Sequence, residues 1–100
     1  MAENASVEVR QMAGLTPGCI VHFVMPNGEH RPAIVVRVWD PSAGTVNLQV
    51  FTDGLNDFRE VSGGESDSFT RAVESGVLWR TSIVYREIPE PNSWHWIEPA

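Results

Sequence analysis

The stretch HRPAIVVRVWDPSAGTVNLQVFTDGLND, residues 30–57, decides the fold. Residues 30–39 and 45–52 are two runs rich in Val and Ile, whose branched side chains suit a pleated surface. Between them, DPSAG supplies the Asp, Pro and Gly that turn a chain. The second run alternates cleanly, with Val46, Leu48 and Val50 on one face and Thr45, Asn47 and Gln49 on the other. Phe51 interrupts that polar row and is expected to cover the end of a barrel. In the first run Ile34, Val36 and Val38 share a face, and Ala33, Val35, Arg37 and Trp39 share the other. So apolar a pattern predicts a strand buried on both sides over part of its length. Pro32 has no N–H for a ladder and belongs near the strand start or on an edge.

Toward the N-terminus, residues 19–25 (CIVHFVM) predict a strand with Cys19, Val21, Phe23 and Met25 on one face. Ile20, His22 and Val24 take the other. The connection PNGE carries Asn-Gly, a hairpin signal because both residues tolerate positive φ. Thr16-Pro17-Gly18 marks the expected domain start, with residues 1–16 a flexible N-terminal segment and 17–100 a single domain.

Toward the C-terminus, Thr52 to Asp57 reads as a tight polar loop and residues 58–76 as an excursion from the β pattern. Its SGGESDS stretch is expected to be flexible. Asp67 or Ser68 can N-cap a short helix over residues 69–75 that ends at Gly76. Residues 77–85 (VLWRTSIVY) predict a fourth strand and 93–97 (SWHWI) a last short one. The sum is a mainly all-β chain: a small five-stranded SH3-like barrel or sandwich with a short helical or disordered insertion at 58–76.

Length and composition set the outer limits. One hundred residues, 42% hydrophobic, fit one domain with a modest core. The net charge of −6 argues against a phosphate-backbone partner, so nucleic acid is not expected. All seven basic residues are Arg, a planar fork suited to carboxylates and phosphates. Cys19 is the single cysteine, which excludes an intrachain disulfide and fits a reducing, cytoplasmic setting. The N-terminus lacks the features of a signal peptide, and no run is long enough to span a bilayer, so no membrane role is expected.

The run HRPAIVVRVW, then VNLQVFTDGLND, then WRTSIVY and a terminal WHW, resembles small tailed-phage and prophage accessory proteins of no settled activity. The resemblance covers most of residues 18–97. It implies a phage-accessory setting within the host cytoplasm, and no mechanism. The segment between Asp57 and Trp79 is longer than in such sequences, which marks residues 58–76 as an insertion.

Candidate chemistry is sparse. Nucleophile-elbow, HExxH, Walker and dinucleotide patterns are absent from the sequence, so no enzyme and no cofactor are expected. His22, His30, His95 and Cys19 lack any close-paired metal spacing, so no metal site is expected either. Asp53, Asn56 and Asp57 offer ligand acceptors beside a glycine, although turn chemistry explains the same residues. Trp94 and Trp96 share one strand face, either as a stacking platform or as lids for a barrel end. Arg37 and Arg80 are candidate anion clamps, and Trp39 and Trp79 add aromatic surface.

These residues together predict a non-catalytic binding module, a homo-oligomer with a small nucleotide-like ligand held between subunits. In the setting that the resemblance implies, the ligand would be a host-defence signal and the module its sequestering partner. The alternative is a protein–protein interaction or structural module, docking a host or phage protein without a small molecule.

Overall fold

The computed structural model describes residues 12–61 and 67–98. Five strands close into a barrel in chain order: β1 (Ile20–Val24), β2 (His30–Asp40), β3 (Thr45–Phe51), β4 (Val77–Tyr85) and β5 (Ser93–His95). Neighbours are antiparallel except β4 and β5, which pair in parallel at Val84 and Tyr85. Between β3 and β4 stand two helices, α1 (Gly54–Val61) and α2 (Asp67–Ser75). The expected five-stranded barrel with a helical insertion is therefore what the chain forms.

The inward positions follow the sequence alternation. Val21, Phe23, Ala33, Val35, Val46, Leu48 and Val50 are buried, joined by Leu78, Ile83 and Trp94. Each aliphatic side chain withdrawn from water in this way contributes roughly 1.5–3 kcal/mol. Trp94 is wholly enclosed, and its Nε1 donates to the Gly44 carbonyl at 2.6 Å. This bond joins β5 to the β2–β3 turn, where Gly44 adopts φ +72°. Asp40 organises that turn by accepting from Ser42 N, Ser42 Oγ and Ala43 N.

Three register shifts reshape the pattern read from sequence, one of them between Val38 and Asp40. In β2 the register slips between Val35 and Arg37, leaving Val36 unpaired. Val35 and Val38 thus both turn inward, while Ile34 and Val36 are 36% and 47% exposed. The expectation that β2 is buried on both sides is corrected: among the described residues no element packs on its outer face. In β4, Thr81 and Ser82 together face Asn47, and Ser82 takes φ +56°. The Asn47 Oδ1 accepts from Thr81 Oγ1, Ser82 N and Trp39 Nε1 at 2.9, 3.0 and 2.8 Å. Asn47 points outward as read, yet it is buried beneath Trp39.

The 52–57 loop is corrected to a helix start. Asp53 caps α1 through its carbonyl, which accepts from Asn56 N, while the Asp57 carboxylate reaches back to Asp53 N at 2.7 Å. This reciprocal bonding resembles a capping box. The helix expected over residues 69–75 is present as α2. It ends at Gly76, whose φ of +96° suits a C-terminal glycine. Phe69 and Val73 of α2 are buried on the barrel core. Phe51 lies on the outer face and leaves the barrel end to these helical residues. Of the flexible stretch expected at residues 62–68, 67–68 begin α2 and residues 62–66 lie outside the described residues. So does most of the N-terminal segment, but Leu15 is buried in the core, which moves the domain start upstream of residue 17.

Candidate metal centre

The outer face of the β2–β1–β5 sheet gathers the three histidines. Strand alternation turns His22 away from a barrel interior that Val21 and Phe23 fill. The β1–β5 register sets His95 directly opposite His22, and the tight PNGE hairpin returns His30 against Val24 one step along. Ring centroids stand 4.7 Å apart for His30 and His95, 5.6 Å for His22 and His95, and 6.2 Å for His22 and His30. Glu98, three residues beyond β5, folds back over all three rings. Its Oε1 accepts from His22 Nδ1 at 3.1 Å and from His95 Nε2, and its Oε2 stands 3.4 Å from His30 Nδ1.

One donor atom from each residue lies within 4.8 Å of every other. Tetrahedral ligands at about 2.0–2.1 Å from a zinc ion stand about 3.3 Å apart. The widest pair therefore closes by about 1.5 Å on binding, within the reach of side-chain rotation. The floor is rigid because His95 is only 5% exposed, whereas the Glu98 side chain is 50% exposed on the solvent side. Hydrogen bonding from His22, followed by His95, holds the Glu98 carboxyl down at about 2, so it is a carboxylate at neutral pH. His95 Nδ1 is buried with no partner among the described residues. A coordinated His95 thus lacks the outer acceptor that commonly fixes a ligand's tautomer.

Sequence spacing argued against a metal site, yet the sheet brings together residues 8, 65 and 73 positions apart. Glu98 was not singled out at all. Its signal was a carboxylate three residues past an outward His on a terminal strand.

The expected ligand residues do not converge. Asp57 is buried and bound by Arg31 through Nε at 2.8 Å and Nη2 at 2.7 Å, so it is an internal counter-ion. Asp53 and Asn56 are helix-start residues bonded to each other at 3.1 Å. Trp94 is core, and Trp96 packs edge-on against it at 5.2 Å, which favours the lid role over a platform. Arg37 stacks on Trp39 with its guanidinium 3.9 Å from the ring. Trp79 and Arg80, neighbours on β4, line a common cavity.

Comparison with protein-family models, curated proteins and solved structures found no match. Among the described residues, no helix is long and apolar enough to cross a membrane.

Proposed function

We propose that this chain is a non-catalytic metal-binding module that holds one zinc-class divalent ion through His22, His30, His95 and Glu98. The convergence of three imidazoles and one carboxylate carries the reading. Imidazole and carboxylate donors together suit borderline ions such as zinc, and hard ions such as calcium prefer an all-oxygen shell. Four protein ligands also fill a tetrahedral shell, the pattern of non-catalytic sites. The half-buried Cys19 thiol donates to the Gly14 carbonyl at 3.0 Å and stands apart from the centre, which suits a reducing cytoplasmic setting.

Isothermal titration with zinc chloride tests the proposal. The expected result is one ion per chain, with affinity reduced at least tenfold by His95→Ala and by His22→Ala. A tetrahedral cobalt(II) absorption spectrum would accompany it. No saturable binding of zinc or cobalt, or equal binding by the histidine variants, overturns it.

A second reading rests on a different face. Ile20, Ile34, Gln49 and Trp79 form one row across four strands, flanked by Val36, Phe51 and Val77. These seven residues include no charge, in a chain of net −6. A second copy is the partner that such a face accepts without opposing like charges, which would make the protein a homodimer. Sedimentation of the wild type beside Val36→Asp tests this: a dimer that the variant dissociates supports it, and a wild-type monomer at micromolar concentration ends it.

A further inference from the structure

Arg80 is a cation with no carboxylate beside it. Arg31 is paired with Asp57 and Arg86 with Glu90, but among the described residues Arg80 has no acidic group within ion-pair distance. Its guanidinium lies 5.4 Å from the Phe69 ring centre and 6.0 Å from that of Phe23. Its hydrogen bond from Nη2 to Asn92 Oδ1 is long at 3.4 Å, and its buried Nε has no partner among the described residues. Among the described residues this leaves Arg80 with hydrogen-bonding capacity that an anion can meet.

The space for one is adjacent. A cavity of about 300 Å³ lies between α2 and β4, lined by Ser68, Phe69, Ala72, Leu78, Trp79 and Arg80. Because β5 pairs with β4 only at Val84 and Tyr85, no strand among the described residues covers the β4 edge at Trp79 and Arg80. Trp79 lines the cavity and is 54% exposed.

We propose that this cavity binds a phosphate monoester carried on a flat aromatic body, with nucleoside monophosphates as the ligand class. The guanidinium fork matches phosphate oxygens in pairs, which a single ammonium charge does not. Of the two aromatic residues that line the cavity, Phe69 is 7% exposed and Trp79 is 54% exposed, so Trp79 is the one that a flat ligand portion would meet. The volume lies at the lower end of small-molecule sites, enough for one nucleotide partly open to solvent. The net charge of −6 repels anions at long range, so affinity comes from the local Arg80 charge and falls with salt. The site is separate from the histidine centre and does not depend on it.

The test is a titration of the ¹⁵N-labelled full-length chain with adenosine 5′-monophosphate, in EDTA so that the histidine centre holds no metal. Saturable shifts are expected at the amides of Phe69, Ala72, Leu78, Trp79 and Arg80. Arg80→Gln weakens binding about tenfold or more, consistent with the loss of a charge-assisted hydrogen bond. Arg80→Lys, which keeps the charge without the fork, weakens it severalfold and serves where the Gln variant fails to fold. Uncharged adenosine binds about tenfold more weakly, for the same reason. Absence of saturable shifts in the millimolar range overturns the proposal. So do shifts centred on His22, His30 and His95, or an affinity unchanged in both Arg80 variants.

Discussion

His22 and His95 face each other directly across the β1–β5 ladder, so the seam that closes the barrel is also the floor of the metal centre. That seam is short, because β5 has three residues and meets β1 at only two positions, His22 with His95 and Phe23 with Trp94. An ion bound there links β1, β2, β5 and the segment carrying Glu98, and so reinforces one of the two short seams by which β5 closes the barrel.

Zinc should therefore stabilise the fold as well as bind. At a free concentration of about 100 times Kd, linkage adds about 2.7 kcal/mol. In a domain of this size that corresponds to a Tm rise on the order of 10–20 °C. Calorimetry should show the rise, EDTA should reverse it, and His95→Ala should abolish it.

Zinc affinity should fall on acidification, because coordinating imidazoles must be unprotonated. The Glu98 carboxyl is lowered from 4.5 to about 2, so it stays ionised through the mildly acidic range. The loss of affinity on acidification is therefore not carried by Glu98. Glu98→Gln should lower affinity at each pH while leaving the steepness of the dependence unchanged. Competition against a chromophoric chelator over that range checks it.

The Arg31–Asp57 pair should contribute to acid sensitivity. The Arg31 hydrogen bond holds the buried Asp57 carboxyl below its ordinary 3.8, so the folded state favours the ionised form. Its stabilisation is present above about pH 4 and is lost as pH falls toward the folded-state value. Arg31→Ala, which strands a buried carboxylate, should cost about 3–5 kcal/mol at neutral pH. Asp57→Asn should also be destabilised there, with a deficit that narrows below about pH 4. Urea unfolding at several pH values measures both.

Asn47→Ala should destabilise the barrel by about 2–3 kcal/mol, since one oxygen serves three donors and its loss leaves the β4 bulge without an acceptor. Trp39 loses its indole partner in the same step. Its fluorescence anisotropy should fall, which separates this effect from general weakening.

Gly44→Ala should cost at least about 2 kcal/mol through strain and overpacking. The added Cβ would stand 2.8 Å from Tyr85 Cβ and 3.3 Å from Trp94 Cζ2, at a φ of +72°. The same glycine accepts the Trp94 indole bond, so near-ultraviolet circular dichroism should report the disturbance before global unfolding.

The strands and their inward residues were legible in the sequence because side-chain alternation and turn chemistry are local. Val46, Leu48 and Val50 declared their face, as did Val21 and Phe23, and Gly76 marked the end of α2. Local signals failed where one residue changed the register. The Val36 and Thr81–Ser82 bulges arise from closing the barrel, and nothing in their own residues announces them. Asp57 read as loop polarity because its partner Arg31 is far away in sequence.

The metal centre marks the same division. Alternation separated His22 from Val21 and Phe23, and His95 from Trp94 and Trp96, and this much the sequence alone determined. That His22, His30, His95 and Glu98 meet was decided only by the antiparallel register of β1 with β2 and β5. Sequence spacing measures distance along the chain, whereas ligation needs distance through space, and only the closed sheet converts one into the other.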